Sequence, residues 1–174
     1  MATAPARPDP AADLWARLSD DQRNQINGFV AQVPVPVGQI GQALGLRIQS
    51  VTLPPDISGL IKLADDGVFE IQVNNTDAPV RQRFTVAHEI AHFLLHRELI
   101  DNDGIEDSIL YRSKLSNRQE AEANRLAAAI LLPWDEVRNW HLQNYGCEPA
   151  RENLENLASA FKTSSLAAGF RLSL

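Results

Sequence analysis

The chain has 174 residues, 44% of them hydrophobic and 22% charged, with a formal net charge of -6. That is enough for one hydrophobic core with a small appended helical unit, in the composition of an ordinary soluble globular protein. The acidic balance argues against a nucleic-acid-binding surface as the main function and would attract a basic protein partner instead.

Cys147 is the single cysteine, which leaves no internal disulfide to hold the fold. The opening residues, MATAPARPDP, lack the basic and apolar stretches of a signal peptide, and no later run is long enough to span a bilayer. A cytoplasmic location without a membrane partner is the expectation.

Residues 1–10, with Pro5, Pro8 and Pro10, are expected to form a disordered lead-in, followed by a single domain over 11–174 with a helical subregion from about 134 to 174. From Ala11 to Ala31, Leu14, Trp15, Leu18, Ile26 and Phe29 suit helix, and Ser19 with the two following aspartates suits a second start within it. Pro34 and Pro36 hold the next stretch extended, and a short helix over Val37 to Leu44 is ended by Gly45. Three strand-like runs come next: Leu46 to Leu53, Gly59 to Leu63, and Val68 to Val73. Asp65-Asp66-Gly67 between the last two is a hairpin signal. A small antiparallel sheet is therefore expected, with the third strand as an exposed edge on which an extended peptide could pair.

A helix beginning at Pro79, capped by Thr76 or Asp77, carries FTVAHEIAHFLLH from Phe84 to His96. Asp101 to Asp107 reads as a solvated connection, since the spacing of a calcium loop is not kept. Helix is expected again from Asn117 to Leu132, stopped by Pro133, then over Trp134 to Asn144, Arg151 to Phe161 and Ser164 to Leu172. The last two resemble a helix-turn-helix in spacing only, with too few basic residues to read DNA.

The chemistry lies in His88, Glu89 and His92. At H-E-x-x-H spacing on a helix, the two imidazoles project from one face and can meet on one zinc ion. Glu89 can then take a proton from a water whose pKa the metal lowers, which makes it the candidate general base. Val86, Ala87, Ile90, Ala91, Phe93, Leu94 and Leu95 surround these groups, so the helix is apolar all round and expected to be buried. Burying three polar groups without partners would cost on the order of several kcal/mol. A metal removes most of that cost.

A third ligand is needed, and the helix from Asn117 offers Glu120 and Glu122, which face roughly opposite ways. Asn124 one turn on, and the thin face made by Ala123 and Ala127, favour Glu120, with Glu122 as the alternative. His96 lies about 12 Å along the axis from His88, too far to share the ion, and is read as a histidine meeting the helix dipole. His141 is read as a surface or core residue. Tyr111 and Arg112, shortly before the Glu120 helix, are candidates for steadying an oxyanion.

The run RQRFTVAHEIAHFLLH (Arg81 to His96), followed by the ExEAN motif in EAEANRLAAAILLP (Glu120 to Pro133), closely resembles the ImmA/IrrE-type (M78-like) zinc metallopeptidases. The similarity extends to PVGQIGQALGLRI and to DISGLIKLADDGVFEIQVNN. The resemblance implies an α+β fold in which a small sheet precedes a zincin-like, gluzincin-type helical core. It implies zinc on His88, His92 and Glu120, with manganese as an in vitro substitute, and Glu89 as the base. It also implies a protein substrate, usually a helix-turn-helix repressor, cut in prophage or mobile-element induction or in a stress response. Members often have Leu-Met-Pro where this chain has Leu131-Leu132-Pro133. Residues 11 to 45 are too short for the N-terminal helix-turn-helix domain that some members carry, so the repressor is expected to be a separate protein. The alternative is a non-proteolytic regulator, or the partner of a toxin or repressor, in which the metal only holds helices together. Retention of Glu89, which a purely structural site would not require, favours the enzyme.

Overall fold

The computed structural model describes residues 7–101, 104–108 and 116–172, with the backbone only at 105–108. It is an α+β fold. Two short helices open it, α1 (Ala12–Trp15) and α2 (Asp20–Asn27), where one stretch from 11 to 31 was expected to be helical. The break comes at Ser19, whose hydroxyl accepts from the Gln22 backbone while the Gln22 side chain accepts from the Ser19 N–H. This reciprocal cap starts a new helix rather than continuing the old one. Helix α3 (Val37–Ala43) follows the proline segment and ends before Gly45, which takes φ 78°.

Strands β1 (Arg47–Val51), β2 (Ile57–Leu63), β3 (Phe69–Asn74) and β4 (Ile105–Ser108) form one sheet in the order β1-β3-β2-β4. The β2-β3 hairpin turns through Gly67 at φ 80°, as the Asp-Asp-Gly signal predicts. Two expectations fail here. The sheet is mixed, because β1 runs parallel to β3. And β3 is no edge: Ile71 pairs with Ile48 on one side and Ile61 on the other, so the outer strands of the sheet are β1 and β4. Strand β4 lies in the stretch expected to be a solvated connection.

Helix α4 (Pro79–His96) starts with Pro79 in its first turn, and its N-cap is Ala78, without a side-chain cap from Thr76 or Asp77. Asn74 organises the approach to it instead, donating to the carbonyls of Leu53, Pro54 and Ile57 and accepting from the Thr76 hydroxyl at 2.8 Å. Residues from Thr85 to Phe93 are all buried, as an all-round apolar helix requires. The cover is supplied by β2, β3, α3 and helix α5 (Asn117–Leu131), which Ser116 and Gln119 cap reciprocally. Ala123 and Ala127 are fully buried, which lets α5 approach α4 closely.

Helices α6 (Trp134–Tyr145), α7 (Leu154–Ala160) and α8 (Ser165–Leu172) complete the chain, the first stopped by Gly146 in the left-handed region at φ 66°. Helix α8 packs on α5 and buries Ala167, Ala168 and Leu172, which makes it part of the core and not a groove-reading helix. His141 is a core residue, its Nδ1 3.0 Å from the Val137 carbonyl oxygen. Residues 7–10, expected within a disordered lead-in, are tied down: the Arg7 carbonyl accepts from Trp134 Nε1 at 2.9 Å and the Pro10 carbonyl from Arg125 at 2.9 Å. Among the described residues no helix is long and apolar enough to cross a membrane.

Gly59 on β2 brings the sheet backbone close to α4. A Cβ there would stand 2.8 Å from the Gln72 carbonyl oxygen and collide with Thr85 on α4. The backbone oxygen cannot give way without breaking the β2-β3 ladder. Gly59→Val is expected to cost roughly 1–3 kcal/mol, lowering the melting temperature by roughly 2–4 °C for each. A thermal melt unchanged from the parent would show that this contact is not tight.

Candidate metal centre

His88 and His92 sit one turn apart on α4, 3% and 1% exposed, with their rings facing the first turn of α5. Their Nε2 atoms are 2.9 Å apart. Glu120 reaches both from α5: one carboxylate oxygen is 3.4 Å from His88 Nε2 and the other 3.7 Å from His92 Nε2. One donor atom from each of the three residues falls within 4.8 Å of the others. The helix phase that favours Glu120 over Glu122 is the arrangement found, and the two glutamates do part. Glu122 also reaches α4 but one turn farther along it, with an oxygen 3.3 Å from His96 Nε2.

The electrostatics suit a cation. Burial holds His92 down to about 4, with the neighbouring His88 adding to the shift against the pull of Glu120, so its ring is neutral and can offer a lone pair. Burial by itself would raise the Glu120 carboxyl, but the facing His88 and His92 rings outweigh it and hold the group well below the usual carboxylate range. Two imidazoles with nitrogens in contact, faced by a carboxylate, are donors of the types a three-residue metal site uses. The residues fit the group.

Glu89 is fully buried beside His88. His88 stacks on Phe84 with ring centroids 6.2 Å apart, which fixes the ring from the side away from His92. Beyond them opens a cleft of about 450 Å³. Its walls combine Val80, Phe84 and Leu166 with the polar Arg81, Thr85 and Asn124, and His88 and Glu120 line it as well. Asn124 thus borders the cleft on the α5 side. Leu166, 69% exposed, comes from α8, a contribution that local patterning could not announce because it depends on how α8 crosses α5. Tyr111 and Arg112, the candidate oxyanion donors, lie outside the described residues.

His96 ends α4, as expected, and the structure adds that it is buried, 3% exposed, with its Nδ1 3.2 Å from His92 Nδ1. The axial distance that keeps it off the ion is no obstacle to ring contact with His92, its neighbour one turn back. The i, i+4 spacing was the available signal.

The chain belongs to the IrrE N-terminal-like domain family of M78 peptidases, whose model matches residues 57–173. The radiation response metalloprotease IrrE of Deinococcus radiodurans is 34% identical over 114 residues, covering 62% of this chain and 33% of that protein. The chain thus corresponds to about a third of that relative's length. A solved Mycobacterium tuberculosis transcriptional regulator shares the fold, with a TM-score of 0.56 at 17% identity over 92% of this chain and 49% of that one.

The separation of the two glutamates generates a direct test. Glu120→Ala is expected to abolish metal retention, because a two-histidine remnant has neither the charge nor the third donor. Glu122→Ala should still load a single ion when metal is saturating. Elemental analysis of the two dialysed variants checks this, and the reverse pattern would transfer the ligand role to Glu122.

Proposed function

We propose that the protein is a zinc-dependent endopeptidase of zincin-like, gluzincin type, with residues 11–174 forming one metallopeptidase domain. The observation that carries this reading is the convergence of His88, His92 and Glu120 beside the buried Glu89, at the mouth of a cleft with apolar walls. Zinc held by the two Nε2 atoms and the Glu120 carboxylate would act as a Lewis acid, lowering the pKa of water and polarising a peptide carbonyl. Glu89, next to His88 in the chain, takes the proton from the attacking water and delivers it to the leaving nitrogen. Phe84, Val80 and Leu166 hold an apolar side chain of the substrate against the cleft wall and exclude water around the reacting carbonyl. Tyr111 or Arg112 donates to the developing oxyanion in this reading.

Family membership supports a peptidase, and the IrrE relative carries metalloprotease in its name. The substrate proposed is a separate cytoplasmic protein, a basic helix-turn-helix repressor inactivated by the cut, which would make this chain an anti-repressor. Charge supports that choice: a net charge of -6 favours association with a basic partner. Association measured by stopped flow is expected to slow as ionic strength rises, since exposed charges are screened over roughly 10 Å at 0.1 M salt. Equal rates at low and moderate salt would remove this electrostatic support.

Glu89→Gln separates an enzyme from a scaffold. The amide keeps the size of the side chain and loses the base. Metal loading and target binding should stay near the parent's, while cleavage falls by on the order of 10² to 10⁴. Intact-mass analysis of a basic helix-turn-helix repressor, incubated with zinc-loaded parent and variant, reads the outcome. Repression relieved equally well by the variant in cells would replace the peptidase by a protein that acts through binding.

A further inference from the structure

Behind His92, on the side away from Glu120, runs a line of polar contacts that metal coordination does not itself require. His92 Nδ1 is 3.2 Å from His96 Nδ1, and His96 Nε2 is 3.3 Å from Glu122 Oε2. Glu122 is anchored in turn by Arg17 at 2.8 Å and by Arg118 at 2.9 Å. Both histidines are buried, and Glu122 joins them to a solvent-open hollow that Arg17 and Arg118 also line.

The proton positions along this line follow from its end. A carboxylate held by two guanidinium groups only accepts, so His96 must donate to it through Nε2. Only one proton fits between two Nδ1 atoms 3.2 Å apart, and with His92 Nε2 as the metal donor that proton belongs to His92, so His96 accepts there. His92 must therefore donate through its own Nδ1, which leaves its Nε2 lone pair aimed toward His88 and Glu120.

We propose that His96 and Glu122 are positioning residues that lock His92 in its Nδ1-protonated tautomer and so set its Nε2 as a metal donor. This rests on the metal-site reading above. A carboxylate acting on a ligand imidazole is a common device, and here a second histidine is interposed between them. Arg17, from the segment between α1 and α2, fixes the far end, so the orientation of His92 depends on a residue distant in sequence.

The test uses histidine ¹⁵N-labelled full-length protein and reads the tautomers directly. In the metal-free parent, two-bond ¹H–¹⁵N spectra should show His92 protonated at Nδ1 and His96 at Nε2. In His96→Leu, His92 should populate both tautomers, and zinc affinity from chelator competition should fall by roughly 10- to 100-fold with stoichiometry unchanged. Glu122→Leu should give a smaller fall in affinity, and Glu122→Gln, which keeps an acceptor oxygen, should stay close to the parent. Thermal melts identify any variant that fails to fold, and the parent spectrum decides the matter without a variant. His92 carrying its proton on Nε2 in the parent, or parent-like zinc affinity in folded His96→Leu, overturns the proposal. Should the parent itself bind no zinc, the metal reading falls, while the tautomer spectrum still decides the relay.

Discussion

The structure depends on one constraint: four ionisable groups, His88, Glu89, His92 and His96, must be kept buried on one helix among apolar neighbours. A buried imidazole pair or carboxylate without partners costs several kcal/mol on the order-of-magnitude scale, comparable to the whole stability of a small domain. The fold meets this by bringing a carboxylate from another helix to the two rings. Glu120 can do so only if α5 comes close, and fully buried alanines at 123 and 127 make that approach possible. On the opposite side Gly59 lets β2 reach Thr85. Small residues on both neighbours of α4 thus serve the polar cluster in its middle.

The parts of this arrangement that were legible in the sequence share a property: each is encoded within one turn or one hairpin. The histidine spacing, the Asp-Asp-Gly turn, Pro79 at a helix start and Gly45 at a helix end all act through local backbone geometry. That Glu120 and not Glu122 faces His88 and His92 was legible for the same reason, since helix phase separates residues two apart. What failed required knowledge of partners. The parallel pairing of β1 with β3 leaves no local mark, because β1 reaches its place by a connection that passes over the β2-β3 hairpin order. Strand β4 is four residues long, within a stretch read as an acidic loop, and its backbone pairing with β2 is what makes it a strand. His96 was placed correctly at the end of its helix, and only its contact with a neighbouring ring went unread. Its distance from His88 rules out a shared ion, but the ring next to it is His92.

The N-terminal segment shows how far the site's support extends through the fold. Residues 7–17 cross α5, α6 and α8 and bond to each: Arg7 to Trp134 and to the Leu172 carbonyl, Asp13 to Arg125, Arg17 to Glu122. Asp9 pairs with Arg171, which is 1% exposed, donates to the Leu132 carbonyl at 2.7 Å and lies 4.9 Å from the Trp134 ring centroid. A guanidinium buried to that degree is tolerable only with its charge matched, which Asp9 does. Asp9 is thus part of the core's electrostatics despite its place near the chain start, and removing it would leave Arg171 uncompensated among apolar side chains.

This strap and the metal centre share α5. Arg125 and Glu122, two anchor points of the strap, stand on the helix that carries Glu120. Exposed ion pairs contribute little individually, typically under about 1 kcal/mol, so Arg125 with Asp13 is not by itself a strong tether. Glu122 differs, because its partner chain continues inward: Arg17 is bonded to a carboxylate that is bonded to His96, and His96 to His92. A displacement of the strap is felt at the site through that one branch, while the other branches act on α5 only as a rigid body. The residues that matter most for the chemistry are therefore the buried ones at the inner end of a network whose outer end is ordinary surface.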